Sequence, residues 1–155
     1  MKRHRLLFVC LGNICRSSLA EGVFAHIAAQ AGKGDLFEVD SAGTGSWHIG
    51  DPPDPRAVAA AARRGIDLSA QRARQLRAGD FDAFDLLLAM DRDNRSELLM
   101  CAPAEHSGKV ALFLDGVPEL GVDEVPDPYY GGNNGFEEVL DLVEAGAHAL
   151  LARLS

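Results

Sequence analysis

Short, largely apolar runs alternate along this chain with segments of helical periodicity, and that alternation restricts the fold more than any other feature. Arg5–Cys10 reads as a strand, and Leu6-Leu7-Phe8-Val9-Cys10 within it is apolar at every position, so it must be covered on both faces. Leu19, Ala20, Val23, Phe24, Ile27, Ala28 and Ala31 then recur three and four apart, which is one face of a helix with Gly32 as its stop. The same reading gives strands at Phe37–Asp40, Asp85–Met90 and Lys109–Leu114. Asp54 followed by Pro55 reads as a helix start, and Gly65 ends that Ala-rich helix. Asp91 reads as the cap of a helix through Cys101, and Asn134 with Glu137 as the capping box of a last helix to Leu154. Buried strands separated by helices make βαβ units. The expectation is an α/β, single-domain, three-layer fold over residues 1–155, a parallel sheet with helices on both faces.

Composition excludes several partners. A formal net charge of −8 and a pI near 5.0 repel nucleic acid and anionic membranes. The basic start Met1–Arg5 and the apolar run to Leu11 imitate a signal peptide, but the run is short and Asn13 and Arg16 follow at once. No apolar stretch is long enough for a membrane span. Three cysteines without a secretion signal suit a reducing cytoplasm. The five histidines are scattered, and Cys10 and Cys15 lack a second ligand pair, so no metal is expected. Gly43-x-Gly45 lacks the third glycine of a dinucleotide loop.

In parallel sheets, ligands bind beyond the carboxyl ends of the strands. The loop after the first strand is Cys10-Leu11-Gly12-Asn13-Ile14-Cys15-Arg16-Ser17. It runs from a strand into a helix, so its N–H groups and the helix N-terminus form an anion cradle. Arg16 adds a planar fork matched to phosphate oxygens. The same positive field favours the thiolate of Cys10, the form in which sulfur is a nucleophile. Cys with Arg six residues on and a hydroxyl residue next arises by chance about once in 75 chains of this composition. Five residues apart in one tight loop, Cys10 and Cys15 are either a reversible disulfide pair or a nucleophile beside a packed thiol.

Val9–Ser17, Asp40-Ser41-Ala42, Gly50–Asp54, Met90-Asp91 with Asn94, and Asp127-Pro-Tyr-Tyr-Gly131 together resemble the low-molecular-weight protein tyrosine phosphatases over nearly the whole chain. The resemblance implies a four-stranded parallel sheet. It also implies hydrolysis of phosphotyrosine in protein substrates through a cysteinyl-phosphate, without a cofactor and with phosphate or another oxyanion held in the loop. By position, Cys10 matches the nucleophile, Arg16 the phosphate-binding arginine and Asp127 the general acid. Asn13 would hold the loop in shape and Ser17 would donate to the Cys10 thiolate. Leu11, Gly12, Ile14 and Cys15 complete the loop, with Ser41 and Asp91 in support. Trp47, Tyr129 and Tyr130 would wall a slot for the phenyl ring. Ser18 and Gln71 stand where relatives often carry Pro and His.

Rival readings are a phosphoarginine phosphatase, disfavoured by Ile14 where such relatives carry Thr, and a thioredoxin-coupled arsenate reductase, which needs a further cysteine pair. A non-catalytic phosphate-binding module is the third. Met90, Met100 and Cys101 are expected in the core, and Arg72, Arg74 and Arg77 on a solvated face.

Overall fold

The structure is a computed structural model that describes residues 3–128 and 135–155. Four strands form one sheet: β1 (His4–Cys10), β2 (Phe37–Gly43), β3 (Leu86–Ala89) and β4 (Val110–Leu112). They lie in the order β2-β1-β3-β4, and every pairing is parallel. The helices are α1 (Arg16–Gln30), α2 (Pro55–Ala62), α3 (Asp80–Ala83), α4 (Arg92–Cys101) and α5 (Gly135–Leu154). The expected four-stranded parallel α/β fold is the observed one.

The strand period of two divides the core. Leu6, Phe8 and Cys10 point into a cluster with the apolar faces of α1, α2 and α5, while Leu7 and Val9 point the other way, against Phe81, Phe84 and Leu98. Both faces of β1 are therefore apolar because both are buried. Phe8 anchors the larger cluster, with ring centroids 6.0 Å from Phe24 and 5.5 Å from Phe113.

Helix boundaries follow the local chemistry. At the end of α1, Gly32 takes φ +73°, and Lys33 N–H reaches back to the Ala28 carbonyl at 2.8 Å, the glycine-dependent closure that satisfies orphan carbonyls. Gly65 (φ +80°) ends α2 in the same way. Asp54 and Asp91 accept from Arg56 N–H and Asn94 N–H, both at 2.8 Å, as helix caps. The capping box expected at Asn134 lies outside the described residues.

The second strand runs on to Gly43, where Phe37–Asp40 was expected, and two further expectations need correction. The fourth strand stops at Leu112, where Lys109–Leu114 was expected. Phe113 and Leu114 are consecutive yet both enter the α1/α5 cluster, which a strand cannot do, so the chain turns into a 3-10 segment at Phe113–Gly116. The short α3 has too few residues to leave a periodic signature. Met100 and Cys101 are not core: Met100 is 83% exposed and Cys101 is exposed as well. Leu98 and Asn94, one turn apart, are the buried residues of α4, and Met100 is rotated about 200° from Leu98. Met90 is buried as expected.

Among the described residues no helix is long and apolar enough to cross a membrane. Truncating Phe8 to Ala should cost about 3–5 kcal/mol, whereas Met100→Ala should change stability by no more than about 0.5 kcal/mol. Denaturant unfolding of both variants checks the assignment.

Candidate active site

The sheet order reverses direction between β1 and β3, which opens a crevice at their carboxyl ends. The loop between β1 and α1 fills that crevice. Cys15 occupies the cap position of α1 but makes no side-chain cap bond, and the first turn carries no acidic residue. A helix start left uncapped in this way presents its N–H groups and partial positive charge to an incoming anion.

Cys10 lies at the base of the loop, 3% exposed. Its Sγ accepts from Asn13 N–H at 3.3 Å and sits 3.0 Å from Ser17 Oγ. Asn13 takes φ +58°, unlike any other described non-glycine residue, and its short amide is suited to that left-handed conformation. The Asn13 Nδ2 group donates to Ser17 Oγ (2.8 Å) and Ser41 Oγ (3.0 Å), while its Oδ1 accepts Arg74 N–H at 3.0 Å. Ser18, at the position where relatives often have Pro, donates its hydroxyl to the Asn13 carbonyl at 2.9 Å. Gln71, at the histidine position, donates to the Ser18 carbonyl at 3.2 Å.

Main-chain bonds hold the loop from outside. Thr44 N–H and Gly45 N–H donate to the Cys10 and Leu11 carbonyls at 2.9 Å, and Asp54 N–H to the Ile14 carbonyl at 2.8 Å. Gly43 permits this closeness, because a Cβ there would stand 2.7 Å from the Leu11 carbonyl oxygen.

Arg16 is 3% exposed. Its Nη1 donates to Asp91 Oδ2 at 2.6 Å and to the Val125 carbonyl at 3.1 Å, and its Nη2 stands 3.7 Å from Asp127 Oδ2. Burial alone weakens its hold on the proton. The Cys10 sulfur, Asp91 and Asp127 outweigh that, so the guanidinium is held charged more firmly than usual. Cys15 is the opposite case. Burial, reinforced by Asp54 and Cys10, pushes its thiol far above the ordinary range. Both Cys10 and Cys15 are free thiols.

A cavity of about 370 Å³ opens over the loop, lined by residues 10–16 together with Trp47, His48 and Asp127. Leu11 and Trp47 form its exposed apolar rim, Trp47 at 71% exposure. The Trp47 ring lies over Gly45, where a Cβ would come within 1.9 Å of it. Tyr129 and Tyr130 lie outside the described residues. Among the described residues no group of His, Cys, Asp and Glu could hold a metal ion.

Sequence reasoning missed two residues here. His48 lines the cavity and its Nδ1 donates to Asp51 at 3.1 Å. Glu21 accepts the Ser41 hydroxyl at 2.7 Å; its position four residues after Ser17 on α1, and so on the same face, was the available signal. Burial raises the proton affinity of Glu21, against the opposing bond from Ser41. Arg74 is a correction. It was expected on a solvated face but is largely buried between Asp40 and Asp80.

A parallel α/β sheet carrying a thiol and a buried arginine in an anion cradle defines a phosphate-ester site. The description of the low molecular weight phosphotyrosine protein phosphatases matches residues 5–155. The chain belongs to that family and is a phosphatase enzyme. It is 47% identical over 152 residues to the low molecular weight protein-tyrosine-phosphatase of Streptomyces coelicolor, covering 96% of this chain and 92% of that one. The crystal structure of YfkJ from Bacillus subtilis superposes with a TM-score of 0.93 at 42% identity, covering 99% of this chain and 95% of the other. A protein tyrosine phosphatase from Entamoeba histolytica, with Hepes in its active site, superposes at 0.94 and 39% identity over 97% and 96% of the two chains.

Gly43→Ala should push the loop off its register. Its kcat on an aryl phosphate should fall about ten- to a hundredfold, while thermal unfolding shows a modest loss of about 1–3 kcal/mol. Unchanged kcat would show that the close approach is dispensable.

Proposed function

We propose that this protein hydrolyses phosphotyrosine monoesters in protein substrates through a cysteinyl-phosphate, with Cys10 as nucleophile, Arg16 as phosphate ligand and Asp127 as general acid. The observation that carries this reading is the convergence of all three on one cavity, with Arg16 3.7 Å from Asp127 and in the same loop as Cys10.

The chemistry follows from charge. The phosphoryl dianion enters the cradle, where loop N–H groups and the Arg16 fork take its equatorial oxygens. The Cys10 thiolate attacks phosphorus in line, forming the S–P bond as the P–O bond to the aryl group breaks. A phenol has an ordinary pKa of about 10, so its oxygen leaves poorly as an anion. Asp127 donates the proton that lets it depart neutral. Asp127, now a carboxylate, takes a proton from water as that water attacks phosphorus. The S–P bond breaks and the thiolate returns, stabilised by the Ser17 hydroxyl 3.0 Å away. Fixed donors do the work that a metal would do elsewhere, so no cofactor enters the cycle. Asp91 and Ser41 support Arg16 and Asn13. Leu11, Ile14 and Trp47 supply the apolar wall against which an aromatic ring packs. A nucleophilic thiol needs a reducing compartment, which favours the cytoplasm.

Rapid-quench trapping with an aryl phosphate should give a phosphoenzyme in the wild type and none in Cys10→Ser. Asp127→Ala should lose about 10²–10³-fold in kcat on phenyl phosphate and much less on a nitrophenyl ester. Equal losses across leaving groups would remove Asp127 as the acid. Faster turnover of phosphoarginine than of a phosphotyrosine peptide would reassign the substrate.

Iodoacetate at neutral pH should label Cys10 ahead of Cys15, because burial holds Cys15 as the unreactive thiol. Inorganic phosphate should protect Cys10. Peptide mapping reads both results, and equal labelling of the two loop cysteines would contradict them.

A further inference from the structure

We infer that Arg74 is a positioning residue that sets the direction of the hydrogen bonds reaching the Cys10 sulfur. The inference rests on Cys10 as the nucleophile. It starts from the side-chain amide of Asn13, which has one accepting end and one donating end and can present either to its neighbours. Arg74 N–H pins the Asn13 oxygen at 3.0 Å. Both Nδ2 hydrogens must then face the hydroxyls of Ser17 and Ser41, at 2.8 and 3.0 Å. Each hydroxyl, already accepting from Asn13, is left to donate to an acceptor on its far side. Ser17 donates toward Cys10 Sγ (3.0 Å) and Ser41 to Glu21 Oε1 (2.7 Å). With the amide turned over, its oxygen would draw the Ser17 hydrogen away from the sulfur.

The Arg74 side chain closes the arrangement into a ring. Its Nε donates to Asp40 Oδ2 at 3.1 Å, and Asp40 Oδ1 accepts Ser41 N–H at 2.8 Å. Arg74 thus grips Asn13 directly through its main chain and again through Asp40 and Ser41. The remaining guanidinium nitrogens make a two-pronged contact with the buried Asp80, at 3.0 and 3.1 Å, and Asp80 also accepts Arg77 N–H at 2.8 Å. Planar two-pronged pairing fixes the guanidinium in orientation as well as in place. The segment that carries Arg74 N–H is therefore fastened through the guanidinium to Asp40 and Asp80, in addition to the bond from Gly43 N–H to the Arg74 carbonyl at 2.8 Å.

The test compares Arg74→Met with wild type, alone and with Asn13→Gly, which keeps the left-handed backbone and removes the amide. Thiolate reactivity is read as the rate of iodoacetate alkylation of Cys10 at pH 6.5, and turnover with p-nitrophenyl phosphate. Arg74→Met should slow alkylation about threefold and lower kcat about five- to twentyfold, with KM changed about twofold or less. In the Asn13→Gly background the same substitution should add nothing to either loss. If Arg74→Met does not fold, Arg74→Lys, which keeps the charge without the fork, should show the same losses in smaller degree. A lowered melting temperature with unchanged alkylation and kcat would overturn the inference, as would losses that multiply with those of Asn13→Gly. Because alkylation needs no substrate, the comparison stands apart from phosphoenzyme trapping: absence of a phosphoenzyme in the wild type would defeat the proposed catalytic cycle instead.

Discussion

The charge of Arg16, a residue with 3% of its surface exposed, cannot be left alone. Arg16 begins a helix whose N-terminus is already positive, so the loop around it concentrates like charge in a small volume. Asp91 and Asp127 offset that charge on one side, the Cys10 sulfur on the other. The site is held together by a demand for negative charge, and a phosphoryl group meets the same demand. Asp91 shows how economically this is arranged. One carboxylate oxygen caps α4 and the other holds Arg16, so the helix that follows β3 and the arginine that follows β1 are fixed by the same side chain.

Around this centre the loop is shaped mainly by backbone. Three main-chain donors from two neighbouring segments hold the Cys10, Leu11 and Ile14 carbonyls, and Asn13 N–H is directed at the Cys10 sulfur. Catalysis by electrostatic preorganisation requires donors that need not reorient when charge develops. The side chains of Asn13, Ser17 and Ser18 add hydrogen bonds to that support, while Leu11, Ile14 and Trp47 line the cavity.

Much of this was legible in the residues. The apolar run at Leu6–Cys10 announced a strand covered on both faces. Asp54-Pro55, Asp91 and the two glycines Gly32 and Gly65 marked helix ends, because each satisfies an orphan backbone group by local chemistry alone. The spacing from Cys10 to Arg16 was equally local. The failures came where distant contacts decide. Phe113 and Leu114 read as strand continuation, yet both are drawn to one side by α1 and α5. Met100 looks like core by composition and is exposed because of its angle on α4. Arg74 sits among other arginines in sequence, and nothing nearby indicates that Asp40 and Asp80 will enclose it. Glu21 was recoverable from its helical spacing to Ser17, but its partner Ser41 is on another element.

The contacts of segment 44–50 with the rest of the protein include main-chain bonds, from Thr44 and Gly45 to the loop between β1 and α1 and from Gly50 to the Ala73 carbonyl. Backbone bonds are indifferent to side-chain identity, so these anchors do not depend on which side chains residues 46–49 carry. The bonds that shape the cradle are therefore separate from the side chains of Trp47 and His48 that line the cavity. Exchanging Trp47 or His48 would remodel the cavity wall and leave the main-chain bonds to the loop in place.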